Sequence, residues 1–108
     1  MPAALQTTVA DLKQRLDSGE TPCLLDVRED WELAIARLPG IKHVRLNEIP
    51  LHLKELDAGQ EIIVICKAGG RSQMAANYLL AQGFGKVRNL QGGMDAWVRE
   101  IDPGMDFY

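Results

Sequence analysis

Cys66 is followed by Lys67-Ala68-Gly69-Gly70-Arg71-Ser72, a stretch that joins one thiol to two glycines and two cations. A cysteine attacks as its thiolate, and a thiolate is favoured by nearby positive charge and by the first amides of a helix. The apolar run Ile62-Ile63-Val64-Ile65 before it reads as a strand. Met74-Ala75-Ala76-Asn77-Tyr78-Leu79-Leu80 after it reads as a helix. The thiol therefore sits at a strand exit under a helix N-terminus, a position suited to anions. Gly69 and Gly70 let the backbone turn its N–H groups toward the sulfur. Arg71 adds positive charge, and Lys67 is a second source of it. The chemistry implied is nucleophilic attack by a thiolate held in a cradle of amides. The plainer alternative is a buried strand-end cysteine before an ordinary Gly-Gly turn.

Strands and helices alternate around this loop. Val9, Leu12 and Leu16 have helical spacing, with Thr8 as N-cap, Asp11 three residues on, and Gly19 as the stop. Cys23-Leu24-Leu25-Asp26-Val27 reads as a buried strand with polar groups at its carboxyl end. Glu29 to Ala36 reads as a short helix ended by Pro39-Gly40. Val44 to Leu46 is a short strand, and Asn47 caps a helix through Leu53. Glu61 to Cys66 is the central strand, Ser72 to Gln82 the next helix, Val87 to Leu90 another strand, and Met94 to Ile101 the last helix. This alternation predicts an α/β fold: a central parallel sheet of four to five strands with helices on both faces. In such sheets the active crevice lies outside the carboxyl ends of the strands. Asp26 and Arg28, Cys66 to Arg71, and Gln91-Gly92-Gly93 are expected to meet there.

The 108 residues suffice for a single domain, 1–108, with one core. A hydrophobic content of 46% with 25% charged residues is that of a soluble globular chain, and a net charge of −3 gives no general field for nucleic acid. Met1 to Val9 lacks the basic and apolar runs of a secretory signal, and no apolar stretch nears the roughly 20 residues that span a membrane. The cytoplasm is the expected compartment. Cys23 and Cys66 fall at opposite ends of neighbouring strands, about 13 Å apart at ~3.3 Å per residue. A disulfide needs Cα atoms within roughly 7 Å. Cys23 is thus expected to be a small buried hydrophobe and Cys66 a free thiol. His43 and His52 have no spaced partners, so no metal site and no cofactor is expected. Trp31 and Trp97 are expected in the core, and Lys13 and Arg15 on a solvated face.

The motifs, in order, resemble those of a rhodanese domain. Leu25-Asp26-Val27-Arg28-Glu29 with Trp31-Glu32 is similar to the family's first motif, and Leu38-Pro39-Gly40 to its second. Cys66 to Ser72 is similar to its active-site loop. Gln82-Gly83-Phe84 and Asn89-Leu90-Gln91-Gly92-Gly93-Met94-Asp95-Ala96-Trp97 are similar to its closing motifs. The resemblance implies the family's three-layer fold and sulfur transfer. A small donor such as thiosulfate would pass its outer sulfur to Cys66, and a thiol or cyanide-like acceptor would remove it. Lys67, Ala68, Gly69, Gly70 and Ser72 would bind the terminal sulfur, Arg71 would favour the thiolate and draw in the anionic donor, and Lys67 could hold a sulfonate oxygen. Four residues separate Cys66 from Arg71, where the related phosphatases have five, so the ring should suit one sulfur atom rather than a phosphate. Arg37, Ile41 and Arg45 depart from the family pattern outside the loop.

Two further readings follow. Residues 100–108 resemble the ends of rhodanese domains fused to enzymes that adenylylate ubiquitin-like sulfur carriers. That makes relay of the sulfur to a carrier protein an alternative to small-molecule turnover; otherwise Phe107 and Tyr108 simply pack on the body. A non-catalytic binding module is the third reading, against which the intact Cys66 and Arg71 stand. Asp26 is expected either to orient Arg71 or Arg28 or to hold local amides. Ser72 is expected to cap the helix rather than bond the sulfur.

Overall fold

The computed structural model describes residues 3–108. Five parallel strands are β1 (Leu5–Thr7), β2 (Cys23–Asp26), β3 (Lys42–His43), β4 (Ile62–Ile65) and β5 (Val87–Leu90), in the order β1-β5-β4-β2-β3. Four α-helices are α1 (Val9–Asp17), α2 (Asp30–Ile35), α3 (Gly70–Ala81) and α4 (Gly93–Glu100). A 3-10 segment, Leu46–Glu55, links β3 to β4. No helix among the described residues is long and apolar enough to cross a membrane.

Side chains alternate across a strand, and β4 shows what this does. Ile62 and Val64, and then Cys66 just beyond the strand, pack with Ala75, Ala76 and Leu79 of α3. Ile63 and Ile65 face the other way, onto Val9 and Leu12 of α1 and Met94, Ala96 and Trp97 of α4. A strand buried on both faces has no room for polar side chains, which is why this run is continuously aliphatic. The two layers are each clamped to the sheet by burial, at about 25 cal/mol per Å² of apolar surface.

Several local expectations shift. β1 was not expected: it is three residues long and lies at the sheet edge, too short for a periodic signal. The third strand falls at Lys42–His43 rather than Val44 to Leu46, pairing Lys42 with Leu25 and His43 with Asp26. Asn47 is not a cap; the segment that follows is 3-10 and starts after Arg45, with Pro50 inside it. Trp97 is in the core, whereas Trp31 is 60% exposed. Arg15 is half-buried and bonds Glu61 with both terminal nitrogens of its guanidinium, so that helix face is not simply solvated. Both cysteines are free, and Cys23 pairs with Ile62, at the far end of β4 from Cys66. Cys23 is half-buried rather than fully enclosed.

Candidate active site

β4 is flanked by β2 and β5, so the segments leaving these three strands meet at one edge. Cys66 leaves β4 at the floor of the loop and is buried. Its sulfur accepts hydrogen bonds from the Gly69 N–H at 3.0 Å and the Ser72 hydroxyl at 3.2 Å. Gly69, the N-cap of α3, has φ +107, a conformation glycine adopts without the cost a Cβ would bring. That turn is what brings its amide onto the sulfur.

The rest of the loop is held from behind. The Met94 N–H donates to the Cys66 carbonyl and the Asp95 N–H to the Lys67 carbonyl, both at 2.9 Å. Asn89 Nδ2 donates to the Gly69 carbonyl at 3.2 Å. In a trans peptide the N–H points opposite to the C=O. The N–H groups of Lys67, Ala68 and Gly70 are therefore turned away from α4 and β5. The close approach that permits this is made at Gly93, which has φ +56 and lies against the Cys66 and Lys67 carbonyls. Ala68 and Gly70 are exposed at the rim.

Of the partners expected for Asp26, the structure gives the Arg28 side chain and the local Arg28 N–H, at 3.1 Å, and not Arg71. The Arg71 guanidinium grips Glu32 of α2 two-handed, Nη1 to Oε1 at 2.5 Å and Nη2 to Oε2 at 2.8 Å. Asp26 instead pairs with Arg28, Nε to Oδ1 at 3.0 Å and Nη2 to Oδ2 at 2.8 Å, and both side chains are fully buried. Arg28 also donates to the Ala36 carbonyl at 2.8 Å, so it ties β2 to the end of α2 and presents no charge to solvent. Lys67 Nζ pairs with Asp95 at 2.9 Å and lies 5.0 Å from the ring centroids of both Phe107 and Tyr108. Ser72 is not the helix cap; that position belongs to Gly69, and the Ser72 hydroxyl is spent on the sulfur and Asn89.

Glu32 and Asn89 complete the site and were given no role from the sequence, together with Tyr108, which was expected only as a tail residue packing on the body. Glu32 accepts from Arg71, from the Tyr108 hydroxyl at 2.5 Å and from the Glu29 N–H at 3.0 Å. Tyr108 also accepts from Arg28 Nη1 at 3.1 Å and meets Trp31 edge-on, with centroids 5.5 Å apart. The tail thus packs Tyr108 on the body, while Phe107 stays 63% exposed. An available signal for Asn89 was an amide inside an apolar strand run, a group that burial obliges to find partners. For Glu32 it was the capping-box position three residues after Glu29.

These contacts set the ionisation of the rim. The bidentate Arg71 bond, helped by the Tyr108 and Glu29 donors, holds the Glu32 carboxyl down at about 2. Arg71 is raised in turn, chiefly by the Glu32 bond. Burial pushes the Tyr108 hydroxyl up, and its bond to Glu32 adds to this. Because the folded value for Glu32 lies below the ordinary ~4.3 of an unfolded glutamate, its contribution is present above that value and lost as pH falls from about 4 to 2. Glu32→Gln is expected to be less stable than the parent at neutral pH, with the gap closing by about 2 to 3 kcal/mol at pH 2. Urea unfolding of both proteins across that range measures it, and a pH-independent gap would contradict the assignment.

Residues 8–100 match the rhodanese-like domain. The chain is 40% identical over 98 residues to YtwF of Bacillus subtilis (strain 168), spanning 91% of this chain and 94% of that one. It is 36% identical over 88 residues to a sulfurtransferase of Allochromatium vinosum, covering 82% of each. Among solved structures, a rhodanese-like domain protein from Staphylococcus aureus superposes with a TM-score of 0.83 at 30% identity, over 96% of this chain and 98% of that one. With the family match covering most of the sequence, and the same layered parallel sheet in a neighbour of nearly the same length, this chain belongs to the rhodanese-like domain family.

Proposed function

We propose that the protein is a sulfurtransferase that carries sulfane sulfur on Cys66. The observation that carries the reading is the sulfur's setting: one backbone amide aimed at Sγ from the four-residue loop closed by Arg71, and the Ser72 hydroxyl from the helix just beyond it. Membership of a family that includes named sulfurtransferases supports it. In the first half-reaction the Cys66 thiolate attacks the outer sulfur of thiosulfate. A Cys66–sulfur bond forms, the donor's S–S bond breaks, and sulfite leaves with the electron pair. In the second, cyanide or a thiolate attacks the outer sulfur of the persulfide and the pair returns to Cys66. Each step is a displacement at sulfur in which the nucleophile supplies an electron pair and the leaving group takes one, so neither step draws on an outside oxidant or reductant. The amides of Lys67, Ala68 and Gly70, unpartnered among the described residues, serve the charge on the outer sulfur, while the pull of Arg71 and Lys67 on an anionic donor is offset by their pairing with Glu32 and Asp95. Asp26 and Arg28 act at one remove, as the buried pair that fixes where β2 delivers α2 and Glu32.

The alternative acceptor is a protein sulfur carrier. The exposed rings of Phe107, beside Lys67, and of Trp31, edge-on to Tyr108, favour it, since thiosulfate and cyanide have no use for apolar surface. Steady-state thiocyanate formation from thiosulfate and cyanide tests the main reading. Parallel double-reciprocal lines are expected, because sulfite departs before cyanide enters. Intersecting lines would overturn the persulfide order. Parallel lines with slow turnover would move the physiological acceptor to a protein.

A further inference from the structure

Ser72 Oγ lies 3.2 Å from Cys66 Sγ and 2.5 Å from Asn89 Oδ1. A serine hydroxyl has one proton to donate. It cannot serve both acceptors fully, so the position of that proton depends on which acceptor carries more charge. Asn89 sits on β5, 3% exposed, one strand away from β4. Its amide orientation is set by its other contacts: Nδ2 donates to Gln6 Oε1 at 2.9 Å, Gln73 Oε1 at 3.1 Å and the Gly69 carbonyl at 3.2 Å. With every nearby acceptor on the nitrogen side, the oxygen has to face Ser72.

Resting on the persulfide reading above, we infer that Asn89 is a positioning residue that acts through Ser72 to balance the free and loaded forms of Cys66. While Cys66 is a free thiolate, the full charge on Sγ draws the Ser72 proton. Once sulfur is loaded, the charge moves to the outer atom and Sγ becomes a neutral bridging sulfur, a weak acceptor. The hydroxyl then turns to Asn89 Oδ1. The proton stays on Oγ throughout and only its direction changes, so the sulfur-transfer stoichiometry is untouched. Asn89 thereby stabilises the loaded form by giving the Ser72 proton a buried partner at the moment Sγ releases it. Without that partner the hydroxyl would be left poorly paired in a closed site, a cost on the scale of one hydrogen bond.

Opposite signs follow for the two residues. Asn89→Leu removes the acceptor used in the loaded form and lowers the loaded-to-free ratio, by about tenfold. Ser72→Ala removes the donor used by the free thiolate and raises the ratio. With Ser72 already gone, the hydroxyl route is closed and only the Asn89 bond to the Gly69 carbonyl remains, so Asn89→Leu lowers the ratio far less in the Ser72→Ala background than in the parent. The experiment equilibrates the parent, both single variants and the double variant with thiosulfate and sulfite at fixed concentrations. The loaded fraction is read by intact-protein mass. An unchanged ratio in Asn89→Leu, or an equal fall in both backgrounds, would overturn the inference. If Asn89→Leu does not fold, Ser72→Ala decides, and a ratio that fails to rise overturns it. A parent that never loads would sink the persulfide reading and this inference with it; a parent that loads while the variants misbehave sinks only the inference.

Discussion

Cys66→Ser is expected to lose sulfur transfer by at least on the order of 10⁴-fold, the scale seen when a covalent nucleophile is removed. A serine hydroxyl is a poor nucleophile at neutral pH, and an oxygen in its place cannot form the S–S bond that carries the sulfane atom. The fold should survive. Serine is close in size to cysteine, and its oxygen still accepts from the Gly69 amide and the Ser72 hydroxyl that now hold the sulfur. Thiocyanate formation measures the loss, and a thermal melt confirms the fold. Cys23→Ser is the matched control and should keep activity. Cys23 begins β2, beside Ile62 at the far end of β4, and burial pushes its thiol up, toward the unreactive protonated form. Activity retained in Cys66→Ser, or lost in Cys23→Ser, would contradict the assignment.

Gly93→Ala is expected to lower stability by about 2 to 4 kcal/mol and to cut kcat/KM by roughly 100-fold. Two costs combine. The backbone at Gly93 has φ +56, where a side chain costs about 1 kcal/mol. An added Cβ would also stand 2.4 Å from the Cys66 carbonyl oxygen and 2.7 Å from that of Lys67, and these are backbone atoms with no rotamer to yield. Overpacking of this kind costs about 1 to 3 kcal/mol. The catalytic penalty arises because relief has to come from moving the loop. Met94 and Asp95 hold those same two carbonyls, so any shift turns the loop amides away from their present direction. A displacement of about 1 Å at a reacting centre can cost 100-fold. Gly40→Ala is the control: its φ is +74, but the added Cβ meets nothing within 4 Å. It should cost about 1 kcal/mol and leave kcat/KM alone. Equal effects at the two positions would show that conformational strain, not contact with the loop, explains Gly93.

The contrast between Gly93 and Glu32 shows how far the sequence carries. The Gly92-Gly93 pair could be placed near Cys66 because parallel topology alone brings the ends of β4 and β5 together. The same rule located Asp26, Arg28 and the whole loop, and it needs only the order of strands and helices. The capping-box position of Glu32 could be read locally, but its pairing was out of reach. Its partners, Arg71 and Tyr108, stand 39 and 76 residues away, and no local period encodes such a pairing. Asp26 lay nearer by topology, yet the short path from Asp26 to Arg28 wins because both side chains leave the same strand end and are buried together. Trp31 looked like core because it lies in a helical pattern beside Leu33. A six-residue helix has one buried face, and Glu32 and Leu33 occupy it. Ser72 was misread for a related reason. A serine near a helix start usually caps it, but Gly69 takes that position with a positive φ and frees the hydroxyl for the sulfur. The sequence left the tail open between a role with a carrier protein and simple packing on the body, and its contacts with Arg28, Glu32 and Lys67 became readable only in three dimensions.

Peptide mapping by mass spectrometry after incubation with thiosulfate, repeated after adding cyanide, tests the central claim most directly. The expected result is one extra sulfur atom on the peptide that contains Cys66, none on the peptide that contains Cys23, and its complete removal by cyanide. A Cys66 peptide that stays unmodified, or a sulfur that settles on Cys23, would contradict the account.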